Sequence, residues 1–378
     1  MKILFLVSSM NAGGAERVAA TLASAWAQRG DSVTLAPTFT GKGACFYPLS
    51  PQVNLVWLAD ALPKRGNAVM KGLAKLRALR RLARSEKPDV IISFLTNVNV
   101  MALMATYGTG IPLIVCERTN PAVSTSSGTV LKFLRRLTYR WASVVTVQAQ
   151  SSVAAFRDMT PGIRQLEVIP NPLPPELLDA PVAPRTPDAQ GRRQLVAMGR
   201  LVSQKQFDML IRAFAASAAD HPDWDLVIWG EGPMRSELTR LIAGVGLTAR
   251  ISLPGRTDVP WAQLSRANAF ALTSAVEGFP NVLLEAMALG LPCVAFDCPS
   301  GPRELTRDGQ DGLLIPAGDP AALTDALKKI MGEADLRDTL ATRAALSVRE
   351  RYALAVVLQK WDMLIDLARV HADNRKGL

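Results

Sequence analysis

The chain has 378 residues, 49% of them hydrophobic and 20% charged, with a formal net charge of +10. That length suits two domains of about 100–200 residues each, with sizeable cores, and no stretch reaches the roughly 18 apolar residues of a membrane span. The four Cys, at 45, 116, 293 and 298, and the two His, at 221 and 371, show no paired metal spacing. They read as free thiols in a reducing cytoplasm, and no metal site is expected.

The opening Met1–Val7 has the look of a signal peptide, but its apolar run, Ile3–Val7, is shorter than the roughly 7–15 residues of a secretory core. A glycine turn and an amphipathic stretch follow at once, so a buried first strand is expected. A helix over 15–29 comes next, then strands at 32–36, 90–94, 113–116 and 144–147. Short apolar runs alternating with helical stretches indicate a parallel, doubly wound α/β sheet. Between Pro170 and Pro187 there are seven prolines, which no helix or strand interior tolerates, and 171–191 is expected to be an interdomain linker. The alternation then restarts, with strands at 195–198, 226–229, 251–253, 270–273 and 293–296 and helices near 208–219, 234–245 and after Pro280. The expected division is an acceptor-side domain 1–170, the linker 171–191, a nucleotide-sugar-binding domain 192–350 and a final helix 351–378 that crosses back.

All the excess positive charge lies in the first half: residues 1–180 carry 20 Lys and Arg against 10 Asp and Glu, and the remaining 23 of each sign cancel. It concentrates between Lys64 and Lys87 and again at Lys132, Arg135, Arg136 and Arg140. Arg77, Arg80, Arg81 and Arg84 fall on one helical face at i, i+3, i+4 and i+7. Such a face suits an anionic membrane surface, where each basic residue contributes about 1 kcal/mol; an ordinary solvated helix face fits the spacing equally. Nucleic acid is disfavoured, because no aromatic residues interleave with the charges.

Five further segments carry chemistry. Gly13-Gly14 follows the first strand, where glycines permit a tight turn and close approach of a ligand, with Glu16 just beyond. It is not a full G-x-G-x-x-G, so no NAD site is expected. Gly199-Arg200, with Lys205 five residues on, places two cations at a strand end, where α/β sheets bind ligands. Gly230-Glu231-Gly232-Pro233 ends another strand, and Arg256-Thr257 a third. Glu277 and Glu285 bracket Gly278-Phe279-Pro280-Asn281-Val282, a turn that opens a helix. One acid before the helix, amides at its tip and a second acid inside it suit the sugar, diphosphate and ribose of a nucleotide-sugar. A surface Glu followed by an ordinary helical Glu is the plainer alternative.

With Val168-Ile169-Pro170-Asn171-Pro172 and Asp311-Gly312-Leu313-Leu314, these segments resemble, in order and spacing, the family-4 retaining glycosyltransferases over almost the whole chain. The resemblance implies the GT-B fold, two Rossmann-like domains facing across a cleft, and a nucleotide-diphosphate sugar donor, UDP-linked. It implies that Arg200 and Lys205 grip the diphosphate and that Glu277 binds sugar hydroxyls. Glu285 would take both ribose hydroxyls, and Asn281 and Val282 would supply helix-tip amides beside Phe279 and Pro280. Gly14, Gly199, Gly230, Glu231 and Arg256 would line the donor, and Gly13 and Glu16 the acceptor side. No metal or other cofactor is implied. Many members carry His at the position of Arg118, which follows Glu117; arginine stays protonated and is no base. Arg118 is left to touch an acceptor phosphate or to pair with Glu117. Ser300-Gly301-Pro302-Arg303-Glu304 offers either backbone amides to the donor or an ordinary turn. The run Cys298–Glu304 looks like that of enzymes building bacterial surface or protein-linked oligosaccharides. The expected activity is transfer of a hexose or N-acetylhexosamine to a lipid-linked glycan by an enzyme bound peripherally at the cytoplasmic inner leaflet. The alternatives are a soluble synthase with a small sugar acceptor, and a non-catalytic protein that binds nucleotide-sugar or nucleic acid.

Overall fold

A computed structural model describes residues 1–41, 43, 45–61, 67–119, 128–182 and 185–376. Lys64 of the basic stretch and Pro184 of the proline-rich stretch lie outside them. Contacts divide the chain into two units, Met1–Asn171 with Val357–Leu378, and Pro172–Val356.

The first unit holds seven parallel strands: β1 (Lys2–Val7), β2 (Ser32–Pro37), β3 (Asn54–Leu55), β4 (Val90–Phe94), β5 (Leu113–Cys116), β6 (Val144–Val147) and β7 (Leu166–Val168). Their order is β3-β2-β1-β4-β5-β6-β7. The central strands are mostly apolar and, apart from Lys2, buried throughout, as expected of a sheet covered on both faces. Helices α1 (Gly14–Gln28), α2 (Ala68–Glu86), α3 (Thr96–Thr106), α4 (Thr129–Thr138) and α5 (Val153–Met159) supply the crossovers. Ile3 of β1 pairs with Val33 on one side and Val90 on the other. The order therefore reverses between β1 and β4, the switch point at whose strand ends such sheets bind ligands.

The second unit repeats the plan with β8 (Arg193–Met198), β9 (Trp224–Trp229), β10 (Ile251–Gly255), β11 (Ala269–Leu272), β12 (Cys293–Asp297) and β13 (Leu313–Pro316), ordered β10-β9-β8-β11-β12-β13 and all parallel. Its helices are α6 (Phe207–Ser217), α7 (Arg235–Gly244), α8 (Pro260–Arg266), α9 (Asn281–Ala288), α10 (Pro302–Leu305), α11 (Pro320–Gly332) and α12 (Ala334–Tyr352). The switch point here lies between β8 and β11.

The last helix, α13 (Leu354–Lys376), joins the first unit from Val357 onward. Its Trp361 is buried edge-on to Trp26 of α1, with ring centroids 5.6 Å apart, in a cluster with Phe5 and Phe94. Edge-to-face aromatic packing of this kind adds about 0.5–1.5 kcal/mol per pair beyond area burial.

The proline-rich stretch is not a free tether. Pro172 to Val182 groups with the second unit, forms a short helical turn at Pro175–Leu177 and buries Leu173 and Leu177 in that unit's core. Arg185 donates to the carbonyls of Ser265, Ala267, Leu289 and Gly290. Proline forbids ladder and helix bonds but not the burial of the leucines between, so the stretch is irregular backbone packed on the second unit.

Candidate active site

In the second unit, three strand-end loops converge at the switch point. Gly199 follows β8, and its amide bonds the Trp229 carbonyl of β9 at 3.0 Å. Gly230 has φ +147°, and a Cβ there would lie 1.8 Å from the Gly199 oxygen; one on Gly232 would lie 2.3 Å from the Leu201 oxygen. Both glycines are therefore required because the β9 loop runs backbone against backbone over the β8 loop. Leu201 and Glu231 lock this contact with a 2.9 Å amide bond. The Glu231 side chain pairs with Arg235, the first residue of α7. Arg256, at the end of β10, is exposed.

Lys205 reaches Glu277 at 2.5 Å, both side chains largely buried. Thr273 at the end of β11 donates to the Lys205 carbonyl, and Gln204 donates to the Val276 carbonyl, so the β8 and β11 loops are stitched together below the pair. The Glu277 backbone is clamped from a third side: its amide donates to the Pro299 carbonyl and its carbonyl accepts from the Ser300 amide. Arg200 is exposed and has no ion-pair partner among the described residues.

Pro280 caps α9 rather than lying inside it, and Phe279 is buried just before. The Asn281 amide donates back to the Phe279 carbonyl at 2.9 Å, whereas the Val282 amide has no backbone acceptor among the described residues. Glu285 is only 2% exposed and accepts from the Trp261 indole at 2.9 Å. The Cys298 thiol, close to the pair, is pushed up to about 12 by burial and by the Glu277 charge, so it stays protonated.

In the first unit, Gly13 caps α1 in extended backbone, which any residue adopts. A Cβ there would meet Glu16 Oε2 at 2.2 Å where that side chain folds back to accept from Ser9, so a larger residue would displace the Glu16 carboxylate. Gly14 is exposed at the start of α1. Arg118 does not pair with Glu117. It lies over the Phe94 ring at 3.9 Å and donates to Asn171 at 2.6 Å. Glu117 instead accepts from Tyr139 at 2.5 Å and Thr96 at 2.7 Å. Burial pushes its carboxyl up, against those hydroxyls and the Arg135 charge.

A glycosyl transferase 4-like domain model matches residues 13–172, and a glycosyl transferases group 1 model matches residues 183–346. Between them the two models span most of the chain, which is a glycosyltransferase. This glycosyltransferase has the GT-B fold, two Rossmann-like units in one chain. It is 30% identical to an exopolysaccharide phosphotransferase of Streptomyces coelicolor over 96% of its own length, but spans only 40% of that protein. It is 26% identical to a Campylobacter jejuni alpha-1,4-N-acetyl-D-galactosaminyltransferase, whose name gives a diNAcBac-PP-undecaprenol-linked disaccharide as acceptor, covering 97% of this chain and 98% of that one. Its fold matches that of Anabaena HepE in complex with UDP at a TM-score of 0.80 and 22% identity, covering 97% and 100% of the two chains.

For this glycosyltransferase the structure brings together Gly199, Lys205, Gly230, Glu231 and Glu277, and sets α9 beside them. Three expectations change. The Ser300 amide is not available to a donor, because Glu277 uses it. The Asn281 amide is likewise engaged, which leaves Val282 as the tip amide. Arg80 is not part of an open basic face: its guanidinium donates to the Ala105 and Tyr107 carbonyls at the end of α3, both at 2.9 Å, while Arg77, Arg81 and Arg84 remain exposed. Trp261 and Asn171 were not picked out as side-chain partners from sequence, because each acts on a residue far along the chain. Among the described residues no group of three or more His, Cys, Asp or Glu is placed to hold a metal ion.

Proposed function

We propose that this glycosyltransferase moves a hexose or N-acetylhexosamine from a UDP-sugar, with retention at the anomeric carbon, to a lipid-diphosphate-linked glycan at the cytoplasmic membrane face. The observation that carries this reading is the Lys205–Glu277 pair held at the second unit's switch point. As the bond from the anomeric carbon to the phosphate oxygen breaks, negative charge grows on the departing diphosphate. Lys205, Arg200 and the Val282 amide are assigned to that charge, the electrostatic contribution that usually dominates such catalysis. Glu277 accepts from sugar hydroxyls and fixes the ring, and Glu285 takes the ribose. The acceptor hydroxyl attacks from the face the phosphate leaves, and its proton passes to the leaving phosphate oxygen. No protein carboxylate is then needed as base. The UDP in the HepE complex and the lipid-diphosphate acceptor in the Campylobacter enzyme's name support this donor and acceptor.

For the membrane face, α4 is a stronger candidate than the α2 arginines. Val130 and Phe133 are 73% and 65% exposed and, with Leu137, form a stripe at i, i+3 and i+7. Lys132, Arg136 and Arg140 lie exposed beside it. An apolar stripe flanked by cations fits the boundary of an anionic bilayer. No helix of the described residues is long and apolar enough to cross one.

Proton NMR of the product tests the stereochemistry: an anomeric coupling matching the donor's is expected, and an inverted coupling overturns it. Turnover is expected to persist in EDTA, since side chains and an amide carry the leaving charge; loss of turnover on chelation and its return with a divalent ion would contradict that assignment.

A further inference from the structure

Arg118 is a buried cation whose neighbours do not balance it. It is 8% exposed, at the carboxyl end of β5, where parallel α/β sheets receive ligands. Its fixed contacts are both uncharged, the Phe94 ring and the Asn171 amide oxygen, and Asn171 is itself held by Gln148 at 2.7 Å. Among the described residues the guanidinium, with five N–H groups, makes one hydrogen bond, and its Nε is buried with no partner. Glu117, the adjacent carboxylate, is engaged by Tyr139, Thr96 and the Arg135 charge instead. From Thr119 to Arg157 the sequence holds no Asp or Glu. Burial lowers the Arg118 pKa to about 10, which still leaves it charged at neutral pH.

A buried charge without a counter-ion is unfavourable, and removing the partner of a buried pair is strongly destabilising. Phe94 and Asn171 nevertheless hold this guanidinium in one plane with donors unused, the preorganisation that planar recognition of phosphate needs. Pairing with Glu117 would have made it structural, and that pairing is absent.

We infer that Arg118 anchors an oxyanion subsite in the first unit that takes a phosphate of the acceptor's lipid diphosphate. The inference rests on the proposed transfer to a diphosphate-linked acceptor and adds the residue that reads the diphosphate. The same guanidinium would also take a carboxylate on a donor uronic acid, and the test separates the two sources.

Wild type, Arg118→Gln and Arg118→Lys are compared in two assays. In the first, UDP saturates the donor site and binding of inorganic pyrophosphate is followed by calorimetry. Wild type should bind one pyrophosphate beside UDP, about tenfold or more tighter than the Gln variant, the scale of a charge-assisted hydrogen bond, with Lys between. In the second, the same glycan is offered on a lipid diphosphate and on a neutral lipid. The Gln variant should raise KM for the diphosphate acceptor alone and leave KM for the nucleotide-sugar unchanged. Equal losses on both acceptors, or pyrophosphate binding unaltered by the substitutions, would overturn the subsite. Selective loss of a UDP-hexuronic acid donor would move the anion to the donor sugar and overturn the acceptor assignment. If wild type turns over no acceptor, the proposed function fails, and the pyrophosphate assay still decides the role of Arg118. The Lys variant, which keeps charge and stem, decides the matter if Gln prevents folding.

Discussion

At the scale of single residues, the proposed donor side rests on Lys205 and Glu277, which pair at 2.5 Å. Lys205→Ala removes a cation assigned to the leaving diphosphate, and kcat should fall about 10²–10³-fold, as for loss of one preorganised transition-state contact. Steady-state turnover of the nucleotide-sugar measures it. Glu117 gives a separate pH signature. Its native carboxyl titrates above the usual range because it is buried. The native state therefore keeps its proton after the unfolded chain has lost it. Stability declines as pH rises from the ordinary carboxylate range through the raised native value and levels off above it. Glu117→Gln should flatten that part of the melting-temperature profile; an unchanged slope would remove Glu117 as its source. The sequence exposed Arg200, Lys205, Glu277 and Glu285 because each lies at a fixed short distance from a strand end or helix start. It did not show that Trp261 holds Glu285 or that Asn171, rather than Glu117, holds Arg118. Those partners lie 24 and 53 residues away, and only the fold brings them near.

At the scale of elements, the buried central strands were legible, since Val90–Phe94, Leu113–Cys116 and Val144–Val147 are short apolar runs broken only by Ser93 and Thr146. The strands β3, β7 and β13 were not. All three are edge strands of two to four residues with partly exposed positions, too short to show a period. Helical spacing placed Arg77, Arg80, Arg81 and Arg84 on one face but could not show that Arg80 is drawn in to the end of α3. Arg80 and the α4 stripe should therefore behave differently. Arg80→Gln should lower stability by about 1 kcal/mol, the loss of hydrogen bonds to one part-buried and one exposed carbonyl, without changing vesicle binding. Replacing Lys132, Arg136 and Arg140 by Gln should weaken binding to anionic vesicles about 100-fold, at about 1 kcal/mol per charge. Vesicle sedimentation and chemical denaturation distinguish the two outcomes.

At the scale of the whole molecule, the first unit is discontinuous in sequence. Val357 onward returns to it and inserts Trp361 among Phe5, Trp26 and Phe94. Ending the chain at Ala353 should strip that cluster and lower the first unit's stability by more than the about 3–5 kcal/mol of a single large-aromatic truncation. A new low-temperature calorimetric transition should appear while the second unit's transition stays in place. The six strands of the second sheet repeat the order of the first six strands of the first, which adds β7 at its edge. That repetition puts Gly13-Gly14, after β1, and Gly199-Arg200, after β8, in equivalent places of the two units.

The most direct measurement is consumption of UDP-, GDP- and ADP-sugars by wild type and Glu277→Gln, with and without a diphosphate-linked lipid glycan. One UDP-sugar should be consumed, only with the lipid, and the variant should lose about 100-fold or more of that rate. Nucleotide binding without turnover of any donor, or full activity in the variant, would contradict a glycosyl transfer centred on the Lys205–Glu277 pair.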